Sequence, residues 1–119
     1  MTEISKELLS KVLEAIEVAK ATGKIKKGIN ETTKAIERAE AKLVVYAKNT
    51  TPPEIVLHIS VLAKEKNVPC VEIPTKEDLG AAAGLPVSTS SIAIVKEGDA
   101  KDTIKKIAEE LAKNSSAGN

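Results

Sequence analysis

Three short aliphatic runs, Leu43 to Ala47, Cys70 to Ile73 and Ser91 to Lys96, are separated by longer segments whose apolar residues recur every three or four positions. That alternation constrains the fold more than any other feature of the chain. Runs this short suit strands, while the segments between them are too long for hairpin turns and carry helical periodicity. The expected class is α/β, a three-layer α/β/α sandwich around a central mixed sheet of about four strands.

The local signals fill in this frame. Residues 5–21 place Leu8, Leu9, Val12, Leu13, Ile16 and Ala19 on one helical face, with Ser5 as the expected cap and Gly23 as the stop. Lys24 to Ile29 alternates as a short strand, and Asn30 is expected to cap a helix running to about Glu40. Thr51-Pro52-Pro53-Glu54 resembles a capping box with proline in the first turn, ahead of the apolar face Ile55, Val56, Ile59, Leu62 and Ala63. Asn67 ends that helix. Thr75 with Asp78 caps a short helix that Gly84 terminates, and Leu85 to Thr89 is a loop. Gly98 marks a turn, and Asp99 is expected to cap a last helix carrying Ile104, Ile107, Ala108 and Leu111. At 119 residues the chain is expected to form one domain, 1–119, with a frayed tail from about 114.

The core must be aliphatic, because Tyr46 is the sole aromatic residue. Platforms on which bases stack are therefore absent, which argues against an RNA-recognition-motif sheet or a single-strand-binding barrel. Any nucleic acid must be read through shape and base edges. Cys70 cannot form an internal disulfide, and one cysteine with one histidine falls short of a structural zinc site. No cofactor or metal is expected. No run reaches the roughly 18 apolar residues of a membrane span, so the expected setting is cytoplasmic.

Net charge is only +1, yet it is unevenly spread. Residues 20–38 hold six basic groups against Glu31 and Glu37, an excess of four, and the rest of the chain sums to −3. A basic patch on a mildly acidic body favours one oriented docking surface for a polyanion. Inside it lies Lys24 to Lys34, with Gly28 followed by Asn30-Glu31 and by Lys34 three positions beyond Glu31 on the same helical face. A carboxylate and an ammonium so placed can accept from one base edge and donate to the next. The bland alternative is a solvated loop and an ordinary capped helix, and composition alone leaves the two at even odds.

Other motifs fail on chemistry. Gly23 to Gly28 has phosphate-loop glycine spacing, but Ile29-Asn30 stands where Lys and Ser or Thr are needed. Gly80 to Gly84 follows no strand and reads as close packing plus a helix stop. His58 lacks a partner carboxylate or nucleophile and reads as a packed or helix-flank residue. Cys70 reads as core, and Ser88 to Ser91 as loop and strand start. Nothing assembles an active site, so the chain is expected not to be an enzyme.

The run Gly28-Ile29-Asn30-Glu31-Thr32-Thr33-Lys34, with Leu43-Val44-Val45, Pro52-Pro53-Glu54-Ile55-Val56, His58, Glu65 to Pro69, Asp78-Leu79-Gly80, Ala83-Gly84 and Ser91 to Ile94, resembles the archaeal L7Ae ribosomal protein family over nearly the whole chain. The resemblance implies binding to the kink-turn, an RNA helix bent sharply at a short bulge flanked by tandem sheared G·A pairs. Carried over by residue, Asn30, Glu31 and Lys34 read guanine edges in a major groove that the kink opens, and Gly28 permits close approach. Lys26, Lys27 and Arg38 are candidate phosphate contacts. Leu85, Pro86, Val87 and Ser88 match the family's hydrophobic loop over an extruded bulge nucleotide, and Ile55 and Lys76 match positions near the RNA. Thr51 replaces an acidic residue common before the prolines. Cys70 stands where an aromatic residue is common, and Ala63 where a cysteine is common.

The same resemblance implies a non-catalytic role in the large ribosomal subunit and in box C/D and H/ACA guide ribonucleoproteins, with ribonuclease P as a further assembly. Its partners would be ribosomal RNA, guide RNAs, ribonuclease P RNA and other ribonucleoprotein core proteins, with no membrane. Two alternatives remain at this point. One is a related ribosome-only structural protein of the same fold; the other is an accessory RNA-binding domain of an RNA-modification enzyme.

Overall fold

The computed structural model describes residues 6–117, with side chains over 6–111. The elements run α1 (Lys6–Thr22), β1 (Lys24–Lys27), α2 (Ile29–Glu37), β2 (Leu43–Ala47), α3 (Glu54–Glu65), β3 (Cys70–Ile73), α4 (Lys76–Ala82), β4 (Ser91–Lys96), a 3₁₀ turn (Gly98–Ala100) and α5 (Lys101–Ala117). The expected α/β class and four-stranded mixed sheet are observed. Ser5, the expected cap of α1, lies outside the described residues.

The sheet order is β1-β4-β2-β3. β4 runs antiparallel to both β1 and β2, while β2 and β3 are parallel. Consequently β1, β2 and β3 all point one way. The N-termini of α2, α3 and α4, together with the loop that enters β4, gather at one edge of the sheet.

Both faces of the sheet are covered, which explains why the inner strands are almost continuously apolar. Leu43, Val45, Ala47, Ile92 and Ile94 pack with α1, α4 and α5, whereas Val44 and Ala93 pack with Ala35, Ile36, Ile59 and Ala63 from α2 and α3. Cys70 packs against this second cluster. Burial, followed by the nearby Glu72 carboxylate, pushes its thiol up to about 12, so the thiolate needed for reactivity is scarce at neutral pH.

Three helices end in the same way. At the end of α2 the Ala39 amide donates to the Ile36 carbonyl and the Glu40 amide to the Ala35 carbonyl. Asn67 and Val68 repeat this after α3, and Gly84 and Leu85 after α4. Each is a Schellman closure that puts its first post-helix residue in the left-handed region, with φ of 60° at Ala39, 59° at Asn67 and 74° at Gly84. Asparagine and glycine adopt that conformation readily, whereas alanine adopts it at a steric cost of about 1 kcal/mol. Ala39→Gly is therefore expected to stabilise the chain by up to about 1 kcal/mol, read as a higher denaturation midpoint at unchanged m.

Three sequence expectations are corrected here. Asn30 does not cap α2: Gly28 does, with φ 93° and ψ 163°, and its carbonyl accepts from the Thr32 amide. The turn at Gly28 starts the helix two residues early. Thr51 makes no capping box, because α3 begins at Glu54 after a tight turn in which the Ile55 amide donates to the Pro52 carbonyl. Asp99 lies inside the 3₁₀ turn, where its amide donates to Thr22 Oγ1 at 2.8 Å and ties the turn to the end of α1. The last helix runs to Ala117. By contrast, Thr75 caps α4 as expected, accepting from the Asp78 amide at 3.2 Å.

Candidate nucleic-acid interface

The candidate site is built at the sheet edge where three helices begin. Gly28 occupies a backbone region essentially reserved for glycine, and a Cβ built there meets nothing within 4 Å. Its glycine is demanded by torsion, and the space beside it is open. Helix α2 leaves from this turn and buries Thr32, Ala35 and Ile36, which sends Asn30, Glu31 and Lys34 to solvent. Because Asn30 lies within the helix and not at its cap, its amide is released from a capping bond.

A polar joint holds this turn to the loop before β4. The Ser91 carbonyl accepts from the Gly28 amide at 2.9 Å and from Thr89 Oγ1 at 3.3 Å, while Ser91 Oγ donates to Thr32 Oγ1 at 3.2 Å. All three hydroxyls are buried. Sequence reasoning took Ser88 to Ser91 as loop and strand start and missed this positioning role. The available signal was a serine opening an otherwise aliphatic strand.

The loop itself is anchored on α4. The Thr89 amide donates to the Lys76 carbonyl at 3.3 Å, and the Lys76 amide donates to Asn49 Oδ1 at 2.8 Å. Asn49 Nδ2 also donates to Glu77 Oε1 at 3.1 Å, which holds the Glu77 carboxyl below its usual range. Gly80 lets the loop close onto the helix, since a Cβ there would collide with the Val87 carbonyl oxygen and come within 2.9 Å of Ser88 Cα. The expected close packing at Gly80 is thus observed. Leu85 turns inward and packs against the core, whereas Pro86, Val87 and Ser88 are exposed, Val87 to 67%.

The structure divides the basic segment. Lys24, Lys26, Lys34 and Arg38 gather in a groove of about 340 Å³ between β1 and α2, joined by Lys96 from β4 and by Glu31 and Glu40, over a floor that includes Ala35 and Val95. Lys27 is on the other face, because side chains alternate along β1 and Ile25 packs toward α1. Lys20 is remote, its ammonium lying beside Gly84 at the end of α4. On the far side of α2, Asn30, Thr33, Lys34 and His58 share a shallower depression with Ile29 and Glu37. His58 is exposed there, off the packed face of Val56, Ile59 and Ala63, as a helix-flank residue. Half-buried Ile55 and Lys76 stand in the first turns of α3 and α4, at the same sheet edge.

The site offers donors, acceptors and positive charge, with an exposed apolar loop beside them. Among the described residues there is no group of three His, Cys, Asp or Glu able to hold a metal ion, and no helix is long and apolar enough to cross a membrane.

A solved structure titled Giardia lamblia 15.5kD RNA binding protein is similar to this chain with a TM-score of 0.87 and 30% sequence identity, covering 94% of this chain and 93% of that one. The model of the ribosomal protein L7Ae/L30e/S12e/Gadd45 family matches residues 10–104, from within α1 to the start of α5. The chain belongs to the ribosomal protein L7Ae/L30e/S12e/Gadd45 family.

Proposed function

We propose that this protein binds RNA in ribonucleoproteins without catalysing a reaction, and that it recognises kink-turns through their tandem sheared G·A pairs. The observation that carries this reading is the N-terminal half of α2, where Asn30 and Glu31 in the first turn and Lys34 one turn on stand exposed beside the open glycine turn at Gly28. Asn30 can donate and accept, Glu31 can accept from guanine amino and imino groups, and Lys34 can donate to guanine N7 and O6. The similarity to the Giardia lamblia 15.5kD RNA binding protein supports RNA binding.

The exposed Pro86-Val87-Ser88 tip, tied through Ser91 to the same turn, is suited to cover an extruded nucleotide by apolar contact. Ribosomal RNA of the large subunit, box C/D and H/ACA guide RNAs and ribonuclease P RNA are the proposed carriers of such motifs. The protein acts by population shift: it moves RNA toward the kinked state by its differential affinity for kinked over extended RNA.

An RNA labelled at both helix ends tests this directly. Addition of the protein is expected to shorten the end-to-end distance in one saturable step. Saturable binding that leaves the RNA extended would refute the kinking mechanism.

A further inference from the structure

We propose that the groove between β1 and α2 is a second RNA contact, seating the phosphate backbone of the duplex that leaves the kink, with Lys24 and Lys96 as its outer contacts. This inference rests on the kink-turn reading and extends it to a surface beyond the base-reading turn.

Charge is the first argument. The groove collects five cations, Lys24, Lys26, Lys34, Arg38 and Lys96, against Glu31 and Glu40. None of these seven takes part in an ion pair; among the described residues the ion pair found is Lys11–Glu110, on a different face. An excess of three uncompensated positive charges around one depression is the electrostatic footprint of a polyanion site.

Register is the second. Lys24 pairs with Lys96 at the end of the β1–β4 ladder, where the register shifts between Lys24 and Ile25. Like charges facing each other across antiparallel strands destabilise the pair. The opposition is locked in place: at Gly23 a Cβ would collide with the Lys96 carbonyl oxygen, so the start of β1 sits tight against the end of β4. A phosphate between the two ammonium groups would turn this repulsion into attraction.

Continuity identifies the occupant. Glu31 and Lys34 belong both to the base-reading turn and to the groove wall, so a chain read at that turn enters the groove without a gap. Helix α2 has nine residues and is therefore about 13.5 Å long, longer than a single phosphate group. A duplex stem fits this length and linear array of charges better than a compact anion does.

Two kink-turn RNAs with the same bulge and G·A pairs test the proposal, one with the stem cut just beyond those pairs and one with that stem extended by half a helical turn. The unaltered protein is expected to bind the extended RNA about tenfold more tightly. The double variant Lys24→Gln/Lys96→Gln should lose that gain, with the salt slope on the extended RNA falling by roughly 1–2, while its affinity for the short RNA stays at the unaltered level. A variant that keeps the gain, or that weakens on both RNAs alike, overturns the groove contact. A protein that fails to distinguish the short RNA from its counterpart without G·A pairs would instead refute the underlying kink-turn reading.

Discussion

Glu31→Ala is expected to lower affinity for a kink-turn with intact G·A pairs by roughly 1–3 kcal/mol, about five- to 150-fold, while barely changing affinity for RNA without them. The carboxylate stands on the exposed first turn of α2 and makes no ion pair with the protein. Removing it leaves no buried group unpaired in the free protein. The folding cost is limited to its interaction with the positive helix end, about 0.3–1 kcal/mol at most, so the binding loss can be read cleanly. Lys34→Ala should act similarly through the adjacent base edge. Its effect should include a larger salt-dependent part, because Lys34 also lines the groove of cations.

Gly28→Ala is expected to destabilise the protein by about 1–3 kcal/mol, although a Cβ at that position has open space around it. The cost is torsional: φ 93° with ψ 163° lies in a region that side chains exclude. Relief would require rotating the turn. That would strain the 2.9 Å bond from the Gly28 amide to the Ser91 carbonyl and loosen the joint between α2 and the 85–89 loop. Denaturation should therefore show a lower midpoint, and RNA affinity should fall with it. Unchanged stability would show that the turn relaxes into a conformation open to alanine, and that torsion does not demand glycine there.

Strand positions were legible in the sequence because burial on both faces writes a continuous aliphatic run. Leu43–Ala47, Cys70–Ile73 and Ser91–Lys96 have the boundaries that their residues suggest. Helix starts were less legible. Asn30 and Thr51 have the right chemistry for caps, but the glycine turn at 28 and the two prolines at 52 and 53 set the helix origins from the backbone. Thr75 was legible because nothing near it competes with its hydroxyl for the Asp78 amide.

The base-reading role proposed for Asn30, Glu31 and Lys34 rests on the family resemblance, while their exposure on one helix was legible from spacing. The groove was not, because Lys96 joins it from a strand remote in sequence, while Lys27, adjacent to Lys26 in the chain, points to the opposite face. The Ser91–Thr32 joint escaped notice for the same reason, since it links residues 59 apart. Local spacing shows which side chains of one helix share a face, while topology brings together those that lie far apart in the chain.

Paired binding titrations test the central claim most directly, using one RNA with a bulge and tandem sheared G·A pairs and a second in which those pairs are replaced by Watson–Crick pairs. Both are measured at the same salt concentration. The unaltered protein is expected to prefer the first by at least tenfold, and Glu31→Ala should erase most of that preference. Equal affinity of the unaltered protein for the two RNAs would contradict recognition of G·A pairs by the first turn of α2.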